Sequence, residues 1–261
     1  MAGSSTLGVV SFLNARPLIA GLDRNPAVAL RFAVPSALPQ MLRTKEVSLA
    51  LIPVVDLARK DREFKIVSDG CIASDGETMT VRVFSRVRPE EISTLHVDGD
   101  SHTSVLLSRL IWRVMYRKQL EIRPFEPPAS PAACESVMLI GDKVVTCGQN
   151  DFPHQIDLGG AWKAMTGLPF VFAVWAGRAA EDVGFLEPVL TQARDRGVSQ
   201  AAAIAATQGP ELGWPAQLAR EYLVNRLKYR LDDRMRDGLH LFLQMARQYG
   251  YLPSESNAVP V

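Results

Sequence analysis

The chain is poor in the residues that announce a particular chemistry. Of its 261 residues three are cysteine, Cys71, Cys134 and Cys147. The number is odd, the three lie far apart and no CxxC occurs. That pattern fits neither a disulfide framework nor a zinc site, and leaves buried, reduced thiols as the expectation. Four histidines, at 96, 102, 154 and 240, show no metal-ligand spacing. Charge of one sign is missing too. The 29 basic and 28 acidic residues leave a formal charge of +1, without the basic excess of a nucleic-acid surface. The densest basic stretch, Arg226 to Arg236, is interleaved with Asp232 and Asp233 and reads as a solvated helix face. No stretch approaches the roughly 18 apolar residues of a membrane span. The segment MAGSSTLGVVSFLNARP has no basic region before its short apolar run, unlike a secretion signal. GxSxG, P-loop, GxGxxG and HExxH patterns are absent. The expectation is a soluble, cytoplasmic protein without a metal, engaging neither nucleic acid nor membrane; oligomeric state leaves no mark on the sequence.

What is present is an ordinary globular composition, 47% hydrophobic and 22% charged. The length suits one large domain or two lobes, at about 100–200 residues per domain. Strand-like runs rich in β-branched residues fall at 7–13, 28–34, 47–52, 64–67, 79–85, 93–97, 120–123, 136–140, 143–146 and 170–175. Helical patterns lie between them. One covers 36–44, with Ser36 as a plausible N-cap. Another covers 103–116, with Leu106, Leu107, Leu110, Ile111 and Val114 at helical spacing. Two long ones cover 186–206 and 215–248; in the second, Leu223, Leu227, Leu231 and Met235 recur every fourth residue. Strands alternating with helices predict an α/β fold with largely parallel pairing. Crossovers near 85–91 and 171–182 predict two lobes. Residues 1–86 and 176–261 form the first and 87–175 are inserted as the second, with a ligand cleft between them.

Four stretches carry polar groups where such a cleft would open. In SFLNARPL an apolar run containing Ser11 stops at Asn14, and Pro17 suits a first helical turn. Asn14 is either an N-cap or an amide that binds a substrate oxygen. CIASDGETMTVRVFS, residues 71–85, offers Ser74-Asp75-Gly76 as a turn and Thr80 in the next strand. HVDGDSHTSVLL, residues 96–107, reads as strand, loop and helix, with Ser101, Thr103 and Ser104 gathered at the helix start. The first N–H groups of a helix have no internal partner and carry partial positive charge, so such a start can hold a carboxylate. His102 lies among them. VMLIGDKVV, residues 137–145, ends a buried strand at Gly141-Asp142, either as a tight turn or with Asp142 turned to the cleft. Composition and spacing support a two-lobe α/β protein with an anion-binding cleft.

SFLNARPL, CIASDG, SHTSV, LIGD and DLGGAWKAMTGLPFVFAVW occur in this order, and with YRLDDRMRDGLHLF the set resembles the chorismate dehydratase family of the futalosine route to menaquinone. The resemblance runs from about residue 8 into the C-terminal helices. It implies a type II periplasmic-binding-protein-like fold reused as a cytoplasmic hydro-lyase that needs no cofactor and takes chorismate as its small-molecule substrate. It implies Asn14 and Thr80 as catalytic residues, and Ser11, Ser101, His102, Thr103, Ser104 and Asp142 as substrate-binding. Three departures stand out: His102 where the family often has Arg, Thr80 where it has Ser, and Gly160-Ala161 where an acidic residue is common. Thr80 keeps the hydroxyl; His102 puts a carboxylate contact in doubt. A solute-binding protein would share the fold, and so would the sister enzyme acting on cyclic dehypoxanthine futalosine. SFLNARPL and SHTSV fit the dehydratase better.

Overall fold

The computed structural model describes residues 4–60, 63–97, 99–125, 133–146 and 152–254. Two sheets organise them. The larger contains β1 (Ser5–Val10), β2 (Val28–Ala33), β3 (Leu49–Pro53), β4 (Phe64–Ser74), β10 (Phe170–Arg178) and β11 (Leu227–Arg230), in the order β11-β4-β10-β3-β1-β2. The smaller contains β5 (Val81–Ser85), β6 (Thr94–Val97), β7 (Glu121–Pro124), β8 (Ser136–Ile140) and β9 (His154–Asp157), in the order β7-β6-β8-β5-β9. β1 pairs in parallel with β2 and β3, whereas β10 runs antiparallel to both β3 and β4. Each sheet is therefore mixed, where parallel pairing was expected to dominate.

The composition of β10 explains its place. FVFAVWAG has no polar side chain, and all eight residues are buried. A strand apolar on both faces belongs mid-sheet with both faces covered. Its position also sets the lobe boundaries. The chain leaves the large sheet after Ser74 and enters the small one at Val81; it leaves the small sheet after Asp157 and returns at Phe170. The crossings thus precede those expected at 85–91 and 171–182, because β5 pairs with β8 in the small sheet and β10 with β3 and β4 in the large one. The helix α4 (Leu158–Thr166) covers the return. One continuous core includes residues of both lobes, and a small satellite core lies around Phe84, Val137, Leu139 and Phe152.

Three predicted elements differ. Residues 143–146, read as a strand, form the helical turn α3 (Lys143–Thr146). Gly141, at φ +61° with Phe12 where a Cβ would stand, turns the chain out of β8. The pattern at 186–206 is two helices, α5 (Glu187–Ser199) and α6 (Ala201–Glu211). The long pattern at 215–248 is α7 (Ala216–Arg220), a π-helical turn Glu221–Arg226, β11, and α8 (Asp233–Gln248). A fourth-residue spacing is even, so it marks one face of a strand as well as a helical stripe. In β11, Leu227 and Tyr229 are buried and Lys228 and Arg230 exposed. Asp232 then caps α8 by accepting the Met235 N–H at 2.9 Å.

Near the N-terminus, Ser36 does not cap a helix. It sits inside a 3-10 turn Pro35–Ala37 that leads into α1 (Leu38–Arg43). Cys71 and Cys134 are buried free thiols, as expected; Cys147 lies outside the described residues. Among the described residues no helix is long and apolar enough to cross a membrane.

Candidate functional site

A cleft opens between the two sheets, lined by residues of both. Its apolar walls include Val10, Phe12, Ile72, Ile140 and Phe172. Its polar lining is Asn14, Thr78, Thr80, Ser101, Ser104 and Tyr222. Among the described lining residues none is charged. These polar groups arrive from four segments: the turn after β1, the crossing at 74–81, the start of α2 and a turn near the C-terminus.

Asn14 follows β1, in a 3-10 helix spanning Leu13–Ile19 whose cap is Phe12, without a side-chain hydrogen bond. Asn14 is therefore no N-cap. Its Oδ1 is buried at the cleft and has no hydrogen-bond partner. A bare buried acceptor of this kind costs free energy unless a ligand donor meets it. The start of this 3-10 helix is tied to the small lobe. The Leu13 N–H is taken by Asp142 Oδ1 at 3.2 Å.

Ser101 and Ser104 come from the start of α2 (His102–Met115). Ser101 is its N-cap. Its Oγ accepts the Ser104 N–H at 3.2 Å and the Ser104 hydroxyl at 3.0 Å. With both lone pairs used, the Ser101 proton is left to donate. This α2 start offers donors without a formal charge, the arrangement suited to a carboxylate.

His102 and Thr103 face the other way. His102 Nδ1 lies 2.9 Å from Asp56 Oδ2, and Thr103 Oγ1 accepts the Val55 N–H at 3.3 Å. Asp56 is buried and also pairs with Arg59 at 3.3 Å. Both residues dock α2 on the 3-10 turn Val54–Leu57 of the large lobe, and neither lines the cleft. Ser11 is also outside it, its N–H bonded to the Ala33 carbonyl at 3.0 Å. So is Asp142, whose Oδ1 accepts from Trp214 Nε1 at 2.9 Å besides Leu13. Burial raises the Asp142 carboxyl above its ordinary range, against the opposing pull of Trp214, Leu13 and Arg16. Of the expected residues, Asn14, Thr80, Ser101 and Ser104 line the cleft together, and Ser11, His102, Thr103 and Asp142 are not among its lining residues.

Thr80 ends the first crossing. Met79 before it holds φ +71°, a left-handed conformation that costs a non-glycine residue about 1–2 kcal/mol. Asp157 holds it there: its carboxylate accepts the Thr78 N–H at 3.0 Å, the Met79 N–H at 2.7 Å and the Gly160 N–H at 3.0 Å. It caps α4 and clamps the crossing at once. Gly160 carries no acidic group, and a Cβ there would press on Glu77 Cγ at 3.2 Å.

Tyr222, in the π-helical turn, was not anticipated. Its hydroxyl lies 2.5 Å from Thr80 Oγ1, and its ring stacks on Trp214 at 4.9 Å and 10°. Burial above all, with Asp142 and Asp157 adding to it, pushes the phenol well above its usual range, so it stays protonated. The Thr80 and Asn14 hydrogen bonds pull the other way.

A family model described as menaquinone biosynthesis matches residues 5–248. The chorismate dehydratase of Thermus thermophilus is 27% identical over 258 residues, spanning 88% of this chain and 95% of that protein. Among solved structures, protein AF1704 of Archaeoglobus fulgidus superposes with a TM-score of 0.75 at 14% identity, over 95% of this chain and 98% of its own. The periplasmic aliphatic sulphonate binding protein SsuA of Escherichia coli gives 0.64 at 12% identity, over 98% and 95%. The architecture is therefore of the periplasmic-binding-protein kind.

Proposed function

Because the chain belongs to the menaquinone biosynthesis family, we propose that it dehydrates chorismate, giving 3-[(1-carboxyvinyl)oxy]benzoate and water. The C4 hydroxyl leaves, the C3 proton is lost and the ring becomes aromatic. Aromatisation supplies the driving force, so the protein's task is positioning and charge stabilisation.

One observation carries this reading. The cleft places neutral donors and acceptors from both lobes around one space, at the start of α2. A substrate carboxylate sits at that helix start, held by backbone N–H groups and the Ser101 hydroxyl. Asn14 and Thr80 hydrogen-bond the substrate near the enolpyruvyl ether and the leaving hydroxyl. No carboxylate, imidazole or amine is found among the described lining residues. The substrate's own enolpyruvyl carboxylate is placed to take the C3 proton. The futalosine route and a cytoplasmic setting are part of the same proposal. Incubation of the purified protein with chorismate, followed by chromatography, tests it: formation of the enolpyruvyl ether of 3-hydroxybenzoate above the uncatalysed rate is expected.

A further inference from the structure

Tyr222 lies 208 positions after Asn14 in the numbering, yet both face one space with Thr80. We propose that Tyr222 is a positioning residue: its phenol donates to the Thr80 hydroxyl, so that the Thr80 proton and the bare Asn14 carbonyl both face the substrate. This role rests on the dehydratase reading.

The geometry sets the direction of the bond. Two hydroxyls 2.5 Å apart share one proton between them. A phenol is the more acidic of the two and the better donor. Asn14 lines the same cleft as Thr80 and Tyr222. Its Oδ1 is buried there without a hydrogen-bond partner. Thr80, having accepted from Tyr222, keeps its own proton to donate. The cleft thus presents one bare acceptor, Asn14 Oδ1, and one donor, the Thr80 hydroxyl backed by Tyr222, the pair that a hydroxyl or ether oxygen of a substrate engages.

The ring is held from behind. It stacks on Trp214, whose indole N–H donates to Asp142, which also takes the Leu13 N–H next to Asn14. Tyr222 is therefore fixed against both lobes before any substrate arrives, as positioning requires.

The test compares wild type, Tyr222→Phe, Thr80→Val and the double variant with chorismate as substrate. Tyr222→Phe keeps the stacked ring and removes the proton. Its kcat is expected to fall about tenfold, the worth of one neutral hydrogen bond, with KM within twofold. The double variant should be no slower than Thr80→Val alone, because the phenol acts through Thr80. Unchanged kcat in Tyr222→Phe, or losses that multiply in the double variant, would overturn the role while leaving the dehydratase reading intact. A wild type that does not convert chorismate removes both. Should Tyr222→Phe not fold, Tyr222→3-fluorotyrosine keeps ring and hydroxyl with a more acidic proton. It should change kcat at constant KM, and no change in kcat counts against the proposal.

Discussion

Asp142 of the small lobe accepts the backbone N–H of Leu13 of the large lobe at 3.2 Å, and the same oxygen accepts the Trp214 indole at 2.9 Å. One atom thus joins the segment that carries Asn14 to the stack that carries Tyr222. The arrangement leaves a raised carboxyl pKa, because burial outweighs the two hydrogen bonds.

That raised pKa sets a sign for pH dependence. A carboxyl that holds its proton more tightly folded than unfolded contributes stability at low pH and loses it as pH rises through the folded pKa. Asp142→Asn keeps an acceptor for both donors and removes the buried charge. Its stability relative to wild type should improve as pH rises from 4 to 8, measured by urea midpoints across that range. A difference that is flat with pH would contradict this. Asp142→Ala, which strands both donors, should lose about 2–4 kcal/mol at pH 4, a loss that shrinks as pH rises because the buried charge is removed with the side chain.

Asp157 makes a second prediction. Three backbone N–H groups end on its carboxylate, two of them in the crossing that delivers Thr80. Asp157→Ala loses a helix cap and two charged hydrogen bonds, together about 2–4 kcal/mol. It should also lower turnover, since Met79 is then free to leave its left-handed conformation. Chemical denaturation and initial rates on the same preparation check both.

Ser101 and His102 are adjacent in sequence and should behave differently. Ser101→Ala removes a donor to the proposed carboxylate and should raise KM about tenfold. His102→Ala removes a partner of buried Asp56 and should destabilise by about 1–2 kcal/mol with KM changed by less than threefold. Equal effects on KM would place His102 in the cleft after all.

The sequence carried much of this where the controlling physics is local. Ser101 and Ser104 are legible because a cap and its third successor share a helix face, and they point to the cleft together. His102 and Thr103 lie between them, turned by about 100° per residue, so spacing alone assigns them to the opposite side. Asn14 is legible as the amide that ends a strand, although its helix is of the 3-10 kind and it caps nothing.

What the sequence left hidden depends on distant partners. Asp157 acts on residues 78 and 79 positions away. Tyr222 reaches Thr80 because a π-helical turn interrupts what four-residue spacing presents as one helix. Its aromatic ring there looks like any core residue until the sheets are assembled. The strand read at 143–146 failed for a nearer reason: Gly141 turns the chain, and Val144 is the one buried side chain of the four.

The measurement that bears most directly on the account is chorismate turnover by wild type and Asn14→Ala, side by side. The account predicts rapid formation of the enolpyruvyl ether of 3-hydroxybenzoate by wild type. It predicts a kcat/KM lower by about 10²–10³ in Asn14→Ala, the usual loss when one positioned polar group is removed, with the thermal midpoint kept. Chorismate surviving at the control rate with wild type, or an alanine variant as fast as wild type, would contradict it.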